Sequence, residues 1–207
     1  MNFTTIRRLA VVAIASLGLA ACGINSVPTK EEAAKAQWGN VESSLQRRAD
    51  LIPNLVEVVK AGAISEQDIL TGVIEARAKA TSINITTDDL SNPEEFAKFS
   101  GAQNQLTQAI GQLRTVIEAY PQITSNAGWA DLRVALDESE NLINTERTRY
   151  NEKAQDYNTE IRTFPSSIGA NIIHGSKPLE YFKADEASKT APKVDLSTIT
   201  GEGKKAE

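Results

Sequence analysis

The chain is short of the residue types on which most enzyme sites depend. Its 207 residues include one cysteine and one histidine, which excludes an internal disulfide bond and a histidine–cysteine metal cluster. A Ser–His–Asp triad would need His174, which we interpret as a surface or packing residue. The glycines that interrupt the helical patterns occur singly, so no glycine-rich phosphate loop precedes a helix. They are Gly62, Gly72, Gly101 and Gly111.

Acidic residues are plentiful, but their arrangement is not typical of a catalytic or metal site. The adjacent pairs Glu31–Glu32 and Asp88–Asp89, and the pair Glu138 and Glu140, are interpreted more simply as helix caps or solvated helix faces. We therefore predict no catalytic residue, no metal and no cofactor apart from a covalent lipid. An enzyme that uses carboxylates stays open as an alternative.

A basic excess is also missing. The formal net charge is −5, whereas proteins that bind nucleic acid need a basic surface against the phosphates. The same balance argues against electrostatic adhesion of the whole chain to anionic lipid headgroups. We predict that nucleic acid is not a partner.

The amino terminus lacks an apolar run long enough to span a membrane. The run from Leu9 to Cys22 is about 14 residues long, and a spanning helix needs roughly 20. It follows Arg7 and Arg8, and it ends in small residues. This pattern predicts a cleavable signal peptide over residues 1–21.

The end of that run, Leu19-Ala20-Ala21-Cys22, resembles the lipobox of bacterial lipoproteins. The resemblance implies that Cys22 receives a diacylglycerol and becomes the first residue after cleavage. Multiple acyl chains hold a protein to a membrane durably. The alternative is an ordinary buried cysteine in a first transmembrane helix. Residues 22–29 are then expected to form a short tether.

The rest of the chain predicts an all-α fold. Apolar residues recur at three- and four-residue steps in four long segments, which is typical of an elongated antiparallel up-and-down bundle. The bundle is predicted over residues 30–183. Thr29 with Glu32 predicts a capped helix start, and Pro53 predicts a kink in the first helix. The second segment, Ser65 to Thr81, is either a separate helix or a bent continuation of the first.

The third helix has the clearest start signal, since Asn92 precedes Pro93 and Glu95 in a capping-box spacing. The last helix is predicted to run to about Thr163. The apolar residues beyond it are expected to pack across the open end of the bundle; they are Ile168, Ile172, Ile173, Leu179, Tyr181 and Phe182. Residues 184–207 have little apolar content and are predicted to be a disordered tail.

One run in the first helix resembles the signature of the LemA family almost position for position: Gln46, Arg47, Arg48, Ala49, Asp50, Leu51, Ile52, Pro53, Asn54, Leu55 and Val56. Further matches follow at Glu75–Ala80, Glu118–Pro121, Tyr157–Thr159 and Ala191–Val194. The resemblance implies an antiparallel helical bundle tethered at its amino end, usually by a transmembrane helix, which this chain replaces with a lipobox. It implies no catalytic residues, because the biochemical role of the family is not settled.

Arg48 falls on the apolar stripe of the first helix, where an unpaired guanidinium would be costly to bury. We expect it to pair inside the bundle with an acid on the last helix, namely Asp137, Glu140 or Glu146. The alternatives are that it reaches the edge of the bundle or binds an anionic partner.

These features favour a non-enzymatic lipoprotein of the cell envelope that presents its helices to a protein partner. A binder of a small ligand in the bundle core is the second hypothesis. In a host with two membranes we expect the outer membrane, facing the periplasm. The reason is that Gly23 follows the lipidated cysteine, at the position where an aspartate would resemble an inner-membrane retention signal. In a host with one membrane we expect its outer face.

Overall fold

The computed structural model describes residues 3–62 and 67–183, without the side chains of residues 3–6 and 9–24. Six α-helices lie in these ranges, and no strand does. The prediction of an all-α fold is confirmed. The helices are α1 (Phe3–Ala61), α2 (Gln67–Ser82), α3 (Pro93–Ile117), α4 (Pro121–Thr124), α5 (Ala127–Glu160) and α6 (Ser166–Gly169). Asp89–Ser91 form a 3₁₀ turn and Ala170–His174 form a π-helical turn.

The long helices pack antiparallel to their neighbours. Nζ of Lys30 in α1 lies 2.7 Å from Oε2 of Glu160 in α5, and Nη1 of Arg48 lies 2.9 Å from Oε1 of Glu140. Residue numbers therefore rise along α1 as they fall along α5. The shorter helices α2 and α3 form the second pair. Nζ of Lys79 in α2 donates to Oε1 of Gln105 in α3 at 2.9 Å.

The core consists of two hydrophobic clusters stacked along the bundle. The cluster nearer the amino end of the bundle is built around Trp38, Val41, Phe96, Phe99, Ile143, Tyr150 and Tyr157. The other is built around Ile52, Leu55, Val59, Leu106, Leu113, Ile117 and Leu136. Several helices contribute apolar residues to each cluster, so each helix needs only one apolar stripe, on the side that faces the core.

The first helix begins earlier than its capping signal predicts. α1 starts at Phe3, and Thr29 lies inside it with its Oγ1 donating to the carbonyl of Asn25 at 2.8 Å. The predicted helix start at Thr29, with its capping box, is therefore wrong, and the backbone of residues 22–29 is helical. The reason is tertiary: Val27 is fully buried and Ser26 donates to Glu160, so contacts with α5 support the turn that contains Pro28.

Other helix boundaries follow the sequence more closely. α1 continues past Pro53 to Ala61, and α2 is a separate helix. Oδ1 of Asn92 accepts the backbone N–H groups of Glu94 and Glu95, which confirms the cap. The reciprocal half of the box is wrong, because the N–H of Asn92 donates to the carbonyl of Asp89 at 2.8 Å. α5 ends three residues before the predicted Thr163.

The apolar residues beyond α5 divide into two groups. Leu179, Tyr181 and Phe182 pack against the first core cluster, as predicted. The other three, Ile168, Ile172 and Ile173, are exposed to solvent, so the prediction that they pack on the bundle is wrong. The short α6 and the π-helical turn hold their backbone beside the bundle with these side chains facing outward. The predicted tail, 184–207, lies outside the described residues.

Candidate functional site

A buried polar layer separates the two core clusters, and Arg48 is at its centre. The side chain is 0% exposed. Its Nη1 donates to Glu140 at 2.9 Å and to the hydroxyl of Thr107 at 2.6 Å. Its Nη2 donates to the side-chain oxygen of Gln103 at 2.7 Å. The hypothesis of an internal partner on the last long helix is confirmed, and the partner is Glu140.

This layer links four helices. Arg48 belongs to α1, Gln103 and Thr107 to α3, and Glu140 to α5, while Nε2 of Gln103 donates to the carbonyl of Ala80 in α2 at 3.1 Å. Both terminal nitrogens of Arg48 have acceptors, whereas its Nε is buried without a hydrogen-bond partner among the described residues. Buried polar networks favour one alignment of the helices that they join. The arginine of the signature therefore joins α1 to α3 and α5 at one level of the bundle. The other two candidate acids are engaged elsewhere: Asp137 pairs with Arg114 and Glu146 with Arg149.

A second arginine, Arg147, is largely buried, and its positive charge is repelled by that of Arg48. Burial lowers the pKa of Arg147 to about 10, with the charge of Arg48 adding to the effect and Glu140 opposing it. Nε and Nη2 of Arg147 are buried without a hydrogen-bond partner among the described residues. Cζ of Arg147 lies 4.8 Å from the ring centre of Phe182. This cation–π contact stabilises the charge in the absence of those hydrogen bonds.

Phe182 completes an aromatic cluster at the first core cluster. Its ring stacks on Trp38 at 5.8 Å and lies 5.0 Å from Phe96 and 5.7 Å from Tyr150. Burial also raises the pKa of Tyr150, whose hydroxyl donates to the carbonyl of Glu180. The segment that carries Phe182 is extended and returns along α5.

Two asparagines of α5, seven residues apart, hold this extended segment by its backbone. Asn158 accepts the N–H of Leu179 and donates to its carbonyl, both at 2.8 Å. Asn151 does the same to Phe182 at 2.9 Å. We call these two residues the asparagine clamp. Sequence reasoning missed the clamp: Asn158 falls in the matched run Tyr157–Thr159, but no sequence pattern paired it or Asn151 with the segment near residue 180.

The signature run divides into a buried and an exposed half. Arg48, Ile52, Leu55 and Val56 are buried, and Leu51 is half-buried. The exposed half consists of Gln46, Arg47, Asp50, Pro53 and Asn54. Within it Gln46 donates to Asp50 at 2.7 Å. We call Gln46, Arg47, Asp50 and Asn54 the signature face; they lie on one side of α1 because their spacing matches its turns.

Two hollows adjoin this face. One has a volume of about 200 Å³ and lies between α1, the end of α2 and α3, lined among others by Glu42, Gln46 and Asn84. The other, of about 640 Å³, is lined by residues of α1 alone, so it is open surface between side chains of one helix. Cavities that enclose small ligands usually measure about 300–1,000 Å³. The hollows suit side chains of a docking protein better than an enclosed ligand.

The described residues contain no group of three or more histidines, cysteines, aspartates or glutamates that could hold a metal ion. His174 is exposed in the π-helical turn. The side chains of Leu19, Ala20, Ala21 and Cys22 lie outside the described residues, so the lipid anchor stays a prediction. Within the part of the chain that the structure describes, no helix is both long and apolar enough to cross a membrane.

Comparison with known proteins agrees with the signature. The family model of the LemA family matches residues 37–196. The magnetosome proteins MamQ 1 and MamQ 2 of Paramagnetospirillum magneticum are each 30% identical to the chain over 182 residues. Magnetosome protein MamQ of Magnetospirillum gryphiswaldense is 28% identical over 182 residues. In each case the match covers 80% of this chain and 66% of the relative. Because the family match covers most of its length, the chain belongs to the LemA family.

Proposed function

We propose that this chain is a non-enzymatic lipoprotein of the cell envelope, held to a membrane by lipid on Cys22, which presents the signature face of α1 to a protein partner. The covalent lipid is the only non-protein group that the proposal requires. In a host with two membranes the anchor lies in the outer membrane and the bundle faces the periplasm; in a host with one membrane the bundle lies on its outer face.

The exposed half of the signature carries the proposal. Arg48 and most of the apolar residues of the signature are buried in the core, whereas Arg47, Asp50 and Asn54 are exposed to solvent. The face combines a cation, a carboxylate and two amides over about two turns of helix. Such a mixed polar surface suits hydrogen bonds and ion pairs with another protein. It offers little concavity to a reacting substrate.

Photo-crosslinking in living cells tests this proposal. A photoreactive residue replaces Arg47 or Asn54 on the signature face, and Glu152, which is exposed on α5, serves as the matched control position. We expect one dominant protein to be captured from positions 47 and 54 and not from position 152. Capture of the same abundant envelope proteins from all three positions would contradict the proposal and favour a screen for ligands of the bundle.

A further inference from the structure

Most of the large apolar side chains that the described residues expose belong to one short segment. Among the described residues six large apolar side chains are exposed, and four of them lie within ten residues of one another. These are Phe164 (81% exposed), Ile168 (53%), Ile172 (78%) and Ile173 (60%). We call them the end patch. Large apolar side chains that are exposed together on a protein surface are typical of interaction sites.

The end patch lies beside the proposed lipid anchor. Ser166, in the middle of the patch segment, and Ser26 of α1 both donate to the same carboxylate oxygen of Glu160. The backbone of α1 is helical from Phe3 onward, and four residues of helix rise by about 6 Å. Ser26 is therefore about 6 Å along the helix axis from Cys22. Lipid on Cys22 would bring the patch to the membrane surface.

The charge of the patch segment differs from that of the whole chain. Residues 161–179 contain Arg162 and Lys177 and no aspartate or glutamate, although the net charge of the chain is −5. Both side chains are exposed. Of the acids nearby, Glu160 pairs with Lys30 and Glu31 with Lys35, and Glu180 directly follows the segment. Apolar side chains flanked by exposed cations are typical of surfaces that enter the headgroup region of anionic bilayers.

We infer that the end patch inserts into the lipid surface to which Cys22 is anchored, giving the bundle a second membrane contact that orients it. The inference rests on the proposed anchoring of this chain. The four apolar side chains enter the boundary between headgroups and acyl chains, while Arg162 and Lys177 meet lipid phosphates. With two contacts, the axis of the bundle keeps one orientation, and the signature face stays at a constant height above the membrane.

The test uses the full lipidated chain in vesicles of phosphatidylethanolamine and phosphatidylglycerol. Lipid on Cys22 leaves no other thiol in the chain, so Ile172→Cys provides one site for an environment-sensitive fluorophore. Val134→Cys is the matched control, because Val134 is 52% exposed on α5 and lies 26 residues, or about 39 Å along the helix, from Glu160.

We expect the fluorophore at position 172 to emit at shorter wavelength in vesicles and to be quenched by lipids with brominated acyl chains. The fluorophore at position 134 should show neither change. Phe164→Asp in the Ile172→Cys chain should reduce the quenching, and so should omission of phosphatidylglycerol. A fluorophore at position 172 that stays in water, or that leaves water without being quenched by lipid, would overturn the inference; the second result would indicate a protein contact instead.

Failure of the anchoring itself gives a different result. The chain without an introduced cysteine should float with the vesicles and take no thiol label. If it does not float, or if Cys22 reacts with the label, then the proposed lipid anchor is wrong. Flotation without quenching at position 172 leaves the anchor intact and rejects only the second contact.

Discussion

Among single residues, Arg48 and Arg147 show how burial and hydrogen-bond partners decide whether a charge stabilises the fold. Arg48 is completely buried; its two terminal nitrogens have Glu140, Gln103 and Thr107 as acceptors, and its Nε has none in the described part of the chain. Arg147 is less buried, but two of its guanidinium nitrogens have no acceptor in the described part of the chain. Removing one member of a buried network costs more than the network contributes, because the remaining members lose their partners.

Arg48→Met is expected to lower the free energy of unfolding by about 2–4 kcal/mol, since the buried side-chain oxygen of Gln103 loses its donor. Arg47→Met is the matched control on the exposed neighbouring position and should change it by less than about 0.5 kcal/mol. Urea denaturation followed by circular dichroism measures both. Equal effects of the two substitutions would contradict the structural role of Arg48.

Arg147→Met is expected to leave stability unchanged or to raise it by up to about 1 kcal/mol. The substitution removes a buried charge that is repelled by Arg48, at the cost of the cation–π contact with Phe182. Thermal and urea unfolding of the same variant provide the measurement. A loss as large as that for Arg48→Met would mean that Arg147 has a bound anion or another partner.

Glu160 makes stability depend on pH in the acid range. Hydrogen bonds from Lys30, Ser166 and Ser26 lower its pKa from 4.5 to about 2. Because the pKa is lower in the folded state, the stabilisation is present in full above about pH 4.5 and is lost as pH falls towards 2. Glu160→Gln should reduce the free energy of unfolding by about 1 kcal/mol at pH 7, after allowance for solvent screening.

The difference between Glu160→Gln and the wild type should shrink between pH 4.5 and pH 3. Urea denaturation over a pH series measures it, and Glu152→Gln, exposed on the same helix, is the control. A difference that is independent of pH would show that the charge of Glu160 is not what stabilises the contact of α1 with α5 and α6.

Among the elements, the extended segment near residue 180 depends on the asparagine clamp. Asn158 is 5% exposed and uses its oxygen and its amide nitrogen on Leu179. Asn158→Asp would place a carboxylate against the carbonyl of Leu179 and remove the donor. We expect a loss of about 2–3 kcal/mol in the free energy of unfolding.

Hydrogen exchange of the amides of Leu179 and Phe182 measures the local effect of that substitution. Both amides should be protected in the wild type and should exchange faster in Asn158→Asp. Asn144→Asp, at an exposed position of the same helix, should leave the exchange unchanged. Unchanged protection in Asn158→Asp would show that the aromatic contacts of Phe182 hold the segment without the clamp.

For the whole molecule, the proposed lipid anchor at Cys22 would decide where the bundle lies. Cys22→Ser should leave an unprocessed precursor that no longer fractionates with lipoproteins, because lipid transfer needs the thiol. Ala21→Gly keeps a small residue before the cleavage point and should be processed normally. Metabolic labelling with a fatty acid and membrane fractionation measure both outcomes. Processing and lipid labelling of Cys22→Ser would contradict the lipobox.

What the sequence could determine by itself was local. The apolar spacing predicted the long helices, Asn92 and Pro93 predicted the start of α3, and the signature run identified the family, because each of these signals acts within a few turns of backbone. The burial of Arg48 could also be anticipated, since its place on an apolar stripe is a matter of helical period.

Only the tertiary structure decided which groups meet across the bundle. It selected Glu140 from three candidate acids, extended α1 past the capping signal at Thr29, and placed Asn151 and Asn158 against a distant extended segment. It also left Ile168, Ile172 and Ile173 exposed instead of packed. Each of these outcomes depends on the alignment of helices far apart in the chain, which short-range sequence patterns do not contain.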